Sequence, residues 1–459
     1  MTAKRASMLG MTGLALGCLA LLVAGTARAE TLTEALARAY NNNPTLLAAR
    51  AQLRATDEEV PQALSNWRPT VTLSGDIGRE REDSSTGFAS GVNYTTPRTA
   101  RATVSQPLFR GGRTIAEVRR AENEVRAERA RLHSTEQDVL LSAVRAYMDV
   151  FRDAAVVALN VKNEQRLRRQ LQAARDRFEV GEVTRTDVSQ AQARLARATA
   201  DRIQAEGDLI SSRAVYRNII GEVIGKPSSP SPLEGLPANE EEALSLAGAQ
   251  NPDVVTADFN EKAARDNIKE VGGELLPELN LRATVTASKD TRSPDSKRDS
   301  AEVMAVLTVP LYQAGSVYSR LREAKEVAGQ RRLELDEARR NAREAATRAW
   351  ESLQTERARV RSFEAEVRAN EIALEGVQQE ALVGSRTVLD VLDAEQELLD
   401  AQVNLVRSQR DETVAGFALK SAIGQLTARN LELPVKLYDF ERNYRAVRDK
   451  WFGSRKKTD

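Results

Sequence analysis

The sequence is short of several things at once. Aromatic residues make up only 4% of its 459 residues, and it has one cysteine and one histidine. So few large side chains cannot fill one thick globular core in a chain of this length. The cysteine, Cys18, lies inside the one long apolar run, close to the start. Beyond that run there is no thiol for a disulfide or for nucleophilic chemistry. His133 stands alone in a charged helical stretch and supports neither a histidine metal site nor a catalytic triad. No glycine-rich phosphate loop is present. Nothing here argues for an enzyme, a cofactor or a resident metal. Positive and negative charges nearly cancel, at +1, which excludes the broad basic field that nucleic acid requires. Past residue 29 no apolar stretch approaches the ~18 residues of a membrane-spanning helix.

What is present begins with a secretory signal. Lys4 and Arg5 precede an apolar run from about Met8 to Val23, and Ala27-Arg28-Ala29 forms an A-x-A cleavage site. Residues 1–29 are expected to be removed; losing Lys4, Arg5 and Arg28 takes the net charge from +1 to −2. A retained anchor is the competing reading. Gly17 before Cys18 fits lipid attachment, whereas Ala15 and the apolar run past the cysteine do not.

The rest of the chain repeats itself. Asn43-Pro44 returns as Asn251-Pro252 and Pro69 as Pro277, both 208 residues on. Pro107-Leu108-Phe109 returns as Pro310-Leu311-Tyr312, Gly112 as Gly315, Tyr147 as Trp350, Gly181 as Gly384 and Gly221 as Gly424, all 203 residues on. Such a period means a duplicated unit, with five extra residues between Pro69 and Pro107 of the first copy. The expected division is 30–225 and 240–430 for the two copies, with a Pro- and Ser-rich linker at 226–239 and a tail at 431–459. The tail could wrap the body or stay disordered.

Each copy runs in the same order. An Ala- and Leu-rich helix follows Asn-Pro, at 44–66 and 252–275. A hairpin comes next, at about 69–108 and 277–310, then a very long helix at roughly 112–178 and 315–380. A V-G turn and a last helix to Gly221 or Gly424 complete the unit. In the strands Val71, Leu73 and Ile77 oppose Thr70, Thr72, Ser74 and Asp76, and Leu279, Leu281, Ala283 and Val285 oppose Asn280, Arg282, Thr284 and Thr286. This period of two makes one apolar and one polar face. A half-buried soluble sheet and a membrane barrel both fit it. Four strands cannot close a barrel, so the second reading needs several chains. The intervening stretches 81–97 and 288–300 are polar and are expected to be loops. The long helices, about 65 residues at about 1.5 Å each, would reach ~100 Å, far beyond a bilayer. They carry Arg and Glu throughout, as in RRAENEVRAERARL, and are expected to stand in water and pack along narrow seams of small residues.

The order signal, Asn-Pro helix, Pro-led hairpin, P-L-[FY]-x-x-G, long helix and V-G turn, present twice, resembles TolC-type outer-membrane channels of secretion and drug-efflux systems. The strongest matches are RFEVGEVTRTDV, starting at Arg177, and VGSRTVLDVLDA, starting at Val383. The resemblance reaches to about residue 430. It implies a mainly α protein with a small β part. Three chains of four strands each would share a 12-stranded barrel, continued by a helical coiled-coil tunnel into the periplasm. It also implies a homotrimer in outer-membrane lipid, partnered by a periplasmic adaptor (membrane-fusion) protein and an inner-membrane pump of ABC or RND type. The function implied is a passive exit duct for type I protein secretion, multidrug efflux, or both.

Residue by residue, the resemblance places the adaptor-docking turns at Val180-Gly181 and Val383-Gly384, where Glu182 and Ser385 stand in place of the family's leucine. It places a gate at Arg386 against Thr186 and Asp187, and inner acidic rings at Asp390 and Asp393. The family's gate tyrosine is Ala381 here. A plainer role stays open: Thr184 with Asp187, and Thr387 with Asp390, have the spacing of helix caps. Asp390, Asp393, Glu397 and Asp400 form one acidic stripe. It suits a wet lumen, or a solvated face paired with arginines of a neighbouring helix. The competing function is a periplasmic coiled-coil adaptor or scaffold with its strands in a soluble domain.

Overall fold

A computed structural model of the chain describes residues 30–84 and 91–454. The expected signal, with Cys18, lies outside the described residues, as do 85–90 in the first polar stretch.

The first copy opens with α1 (Leu32–Asn42), a helix not expected from the sequence, and α2 (Pro44–Asp57). The helix expected over 44–66 is broken at Glu58, and α3 (Glu59–Ser65) follows. Pro61 supplies the cause, because its ring clashes with a carbonyl one turn back and it has no N–H to donate. The aligned residue of the second copy is Lys269, and there α7 (Pro252–Gly273) runs unbroken after α6 (Glu240–Gln250). The repeated Asn-Pro also acquires a reason. Asn43 Oδ1 accepts from Thr45 N–H at 2.9 Å while its amide donates to Ile219 O at 2.9 Å. Asn251 does the same with Asp253 N–H at 2.9 Å and Ala422 O at 3.1 Å. Each asparagine caps its own helix and ties it to the end of the last helix of its copy.

The strands are β1 (Thr70–Ile77), β2 (Glu80–Ser84), β3 (Gly91–Thr95), β4 (Arg98–Arg110), β5 (Glu278–Lys289) and β6 (Lys297–Thr308). They form a four-stranded antiparallel sheet in the order β1-β4-β5-β6, with β2-β3 a separate ribbon. The stretches expected to be loops are therefore partly strand. Backbone pairing carries on past the apolar band even where the side chains are charged, because strand propensity is a weak constraint. The register sorts the side chains. Val71, Val104, Ala283 and Val303 stand in one row across the sheet, and Leu73, Ala102, Val285 and Ala301 in the next such row. Between them stand Thr72, Thr103, Thr284 and Glu302 on the opposite face. One face is apolar across all four strands and the other is polar. The apolar face is not covered by the chain: Val71, Leu73 and Val303 are 72%, 82% and 71% exposed.

Two antiparallel helical hairpins hang from this sheet. The first is α4 (Arg113–Glu179) with α5 (Arg185–Ile220), the second α8 (Ser316–Leu382) with α9 (Val388–Ala422). At 67 residues α4 and α8 are each ~100 Å long. Gly111 and Gly273 allow the crossing at the sheet: a Cβ on Gly111 would stand 2.2 Å from Gly273 O. In α8 the buried residues Val317, Ala324, Ala328, Leu335, Ala342, Ala346, Leu353 and Val360 recur in steps of seven and four. That spacing is a coiled-coil seam, and small residues there let the helices approach closely. α4 is buried on several sides, against α5, α7 and α9; α8 packs against α6, α7 and α9 and leaves its remaining side open. The layer thus has two bare edges, α5 and α8.

The thickest core lies midway along the hairpins. Tyr147, Leu140, Val144 and Met148 of α4 pack there against Leu36 and Tyr40 of α1, Tyr216 of α5 and Leu426. The Tyr147 hydroxyl donates to Glu30 O at 2.7 Å and accepts from Ser228 N–H at 3.0 Å, pinning the start of the linker. The tail packs against the body. Tyr438 N–H donates to the Tyr40 hydroxyl at 3.0 Å, and α10 (Phe440–Val447) brings Asn443 to Asp57 at 2.8 Å.

Candidate functional site: the hairpin tips

Both hairpins turn with the same geometry. Val180 has φ −91° and ψ 0°, and Val383 has φ −94° and ψ 4°. Gly181 and Gly384 both take φ +81°, a left-handed conformation that other residues adopt only at a cost. Glu182 N–H donates to Arg177 O at 2.9 Å and Gly181 N–H to Phe178 O at 3.0 Å. Ser385 N–H donates to Glu380 O at 3.0 Å and Gly384 N–H to Ala381 O at 3.2 Å. These paired bonds close the last carbonyls of α4 and α8, and only glycine fits the reversal without strain. Just beyond, Val180 and Val383 are 71% and 81% exposed, with Leu382 beside them. Each tip therefore presents an apolar residue to solvent on a rigid turn.

The next helix begins at once. Asp187 N–H donates to Thr184 Oγ1 at 3.3 Å, and Asp187 Oδ2 accepts from Thr184 N–H at 2.8 Å. Thr387 and Asp390 repeat both bonds at the same distances. The capping reading is thus seen for both aspartates. The N–H and hydroxyl of Thr387 hold the Asp390 carboxyl below the usual range. Thr186, between cap and aspartate, is exposed.

Arg386 lies within its own turn. Its Nε donates to Glu380 Oε2 at 2.9 Å, six residues back. Among the described residues no hydrogen bond or ion pair joins it to Thr186 or Asp187. Ala381, where the resemblance expects tyrosine, packs inside the second hairpin near Val377 and Val391. Of the acidic stripe, Asp393 pairs with Arg194 of α5, linking the two hairpins, and Asp400 accepts from Gln396 at 2.9 Å.

One carboxylate near the tip escaped the sequence reading. Glu395, two residues past Asp393, points the other way and is 3% exposed. Gln170 of α4 reaches its Oε1 at 3.5 Å, and its Oε2 has no hydrogen-bond partner. Burial pushes the Glu395 carboxyl up, against the pull of Arg166 and Arg169. The signal available was its heptad position among Leu392, Leu398 and Leu399, an apolar face that a carboxylate interrupts.

A family model described as "Outer membrane efflux protein" matches residues 35–222 and 243–425, one stretch in each repeat. The outer membrane efflux protein BepC of Brucella suis is 37% identical over 443 residues, covering 95% of this chain and 96% of that protein. The outer membrane protein TolC of Vibrio cholerae is 27% identical, covering 88% of this chain and 92% of that protein. The alkaline protease secretion protein AprF of Pseudomonas aeruginosa is 24% identical, covering 91% and 89%. Among solved structures, the Campylobacter jejuni CmeC outer membrane channel superposes with a TM-score of 0.78 at 15% identity, covering 92% of this chain and 89% of that one.

Proposed function

Because this chain belongs to the outer membrane efflux protein family, we propose that it is the trimeric exit duct of a tripartite export system, gated where its hairpins turn. It is an outer-membrane efflux channel of the TolC type, with its helices in the periplasm, and its family consists of channels rather than enzymes. The periplasmic-adaptor reading gives way to this.

The observation that carries the finer proposal is the sorted sheet with bare edges, joined to two hairpins that end alike. An apolar outer face would meet lipid and a polar inner face would meet water. Three chains bring six V-G turns to one end, where Val180, Gly181, Val383 and Gly384 would dock a periplasmic adaptor and, through it, an inner-membrane pump. In the gate, Arg386 would exchange Glu380 on its own hairpin for Thr186 and Asp187 on the neighbouring one. Asp390 and Asp393 would line the wet lumen just inside.

Planar-bilayer recording of the purified protein tests this. Arg386→Ser should raise single-channel conductance, and Glu380→Gln, which frees the arginine for the cross-hairpin bond, should not. Asp390→Ala with Asp393→Ala should weaken block by multivalent cations and lower cation preference while changing conductance less. Wild-type conductance in Arg386→Ser would reduce Arg386 to a turn residue.

A further inference from the structure

A cleft of about 550 Å³ opens between α1, the linker, the end of α9 and the segment that follows it. Lys420 of α9 lines it and is 6% exposed. Its ammonium makes no hydrogen bond and has no carboxylate within ion-pair distance among the described residues. Glu234 acts on it only from further away, and burial pushes the Lys420 pKa down. A buried cation without a counter-charge is unfavourable, and a bound anion would relieve it.

The linker forms one wall. Tyr147 and Glu30 fix it at Ser228. Beyond that point Pro230 and Pro232 have no N–H, and the backbone N–H groups of Ser229, Ser231 and Leu233 to Leu236 donate no hydrogen bond among the described residues. Leu233 is seated on α9 where Gly416 leaves room, its Cδ2 3.3 Å from where a Cβ would stand. Leu32, Leu36, Phe417, Leu431 and Leu433 give the cleft an apolar side, and Glu234 and Glu432 stand exposed at its rim. The cleft so combines a buried cation, an apolar pocket and a linker wall whose remaining N–H groups are free of protein partners. Those three features together recognise the end of an extended peptide. The rim carboxylates disfavour a doubly charged phosphate, and a lone lysine suits a single negative charge.

We propose that this cleft binds an extended peptide segment through its free C-terminal carboxylate. The carboxylate meets Lys420, the backbone runs along the linker, and a terminal apolar side chain enters beside Leu36, Phe417 and Leu433. The site lies far from the hairpin tips and does not depend on how the tips work.

Calorimetry on the full-length protein in detergent tests it, with N-acetyl-Ala-Ala-Leu-Leu as the free acid and as its C-terminal amide. The acid should bind saturably, one per chain, and the amide at least about tenfold more weakly. Lys420→Met should weaken the acid by a similar factor while the melting temperature holds or rises, since a buried unpaired charge is removed. Equal binding of acid and amide would overturn the proposal, as would no saturable binding. Inorganic phosphate competing as well as the peptide would make the cleft a simple anion sink and equally overturn it. The wild-type acid and amide pair keeps the test decisive even if Lys420→Met fails to fold.

Discussion

Arg386, Asp393 and Glu395 lie within ten residues and show what a sequence can and cannot say about single side chains. The caps at Thr184 and Thr387 were legible because a Thr-x-x-Asp spacing satisfies orphan N–H groups within four residues, with no help from elsewhere in the fold. The Arg386 to Glu380 bond was not, because it needs the chain to reverse at Gly384 first. Asp393 to Arg194 joins residues of different repeats and depends on how two hairpins pack. Glu395 yields a stability prediction. A carboxyl whose folded pKa lies above its unfolded value takes up its proton in the folded state first as pH falls. Folded stability therefore rises as pH drops through that folded pKa, and the ionised group is a burden at neutral pH. Glu395→Gln should stabilise the protein at pH 7, because it removes a buried charge while keeping a polar group within reach of Gln170. The gain should shrink on acidification toward the folded pKa. Thermal unfolding across that range measures it, and a loss of stability at pH 7 would mean the carboxylate is well paired after all.

Helices and strands followed local chemistry closely, and the departures have local causes. The long helices ended within two residues of the expected positions because glycine closes each one. The Asn-Pro helix of the first copy breaks because Pro61 lies inside it, where the unbroken second copy has Lys269. α1 and α6 went unread, although Thr31 with Glu34 and Asn239 before EEEAL are ordinary start signals, because the repeat was anchored on Asn-Pro. The hairpin turn carries its own prediction. At φ +81° a β-branched side chain is strained, and nothing lies within 4 Å to relieve or oppose it beyond the backbone. Gly384→Val should impair export of every cargo while leaving the assembly intact, since the tip is remote from the sheet and the mid-hairpin core. Export assays beside a mass measurement read both, and normal export would remove the tip from docking.

One chain leaves surfaces open, and they support the proposal that three copies complete the assembly. β1 and β6 each pair on one side only, so the sheet keeps two raw edges. The helix layer is bare on matching sides. α5 exposes Ile203 and Ile210, one heptad apart, at 57% and 68%, and α8 exposes Leu333 and Ile372 at 70% and 73%. Edges that differ from one another join head to tail, and such a contact makes a ring when its rotation closes. Two chains would give eight strands, an interior that side chains fill. The inward face carries Arg101, Arg282 and Glu302, too much charge to bury without water. Three chains give twelve strands and the smallest ring with room for a wet passage. The fold class was legible because period two and period seven are local patterns. The need for several chains followed from the insufficiency of four strands and the number three from the family resemblance, since nothing local records a neighbour. The complex in detergent should therefore have the mass of three chains by light scattering corrected for bound detergent. Placing a charge on the bare helix edge, Ile210→Lys, should loosen the trimer, because two apolar surfaces would no longer meet without burying an unpaired ammonium. A monomer in the wild type would show that the sheet is closed by some other means, and an unaffected trimer in Ile210→Lys would place the subunit contact elsewhere on α5.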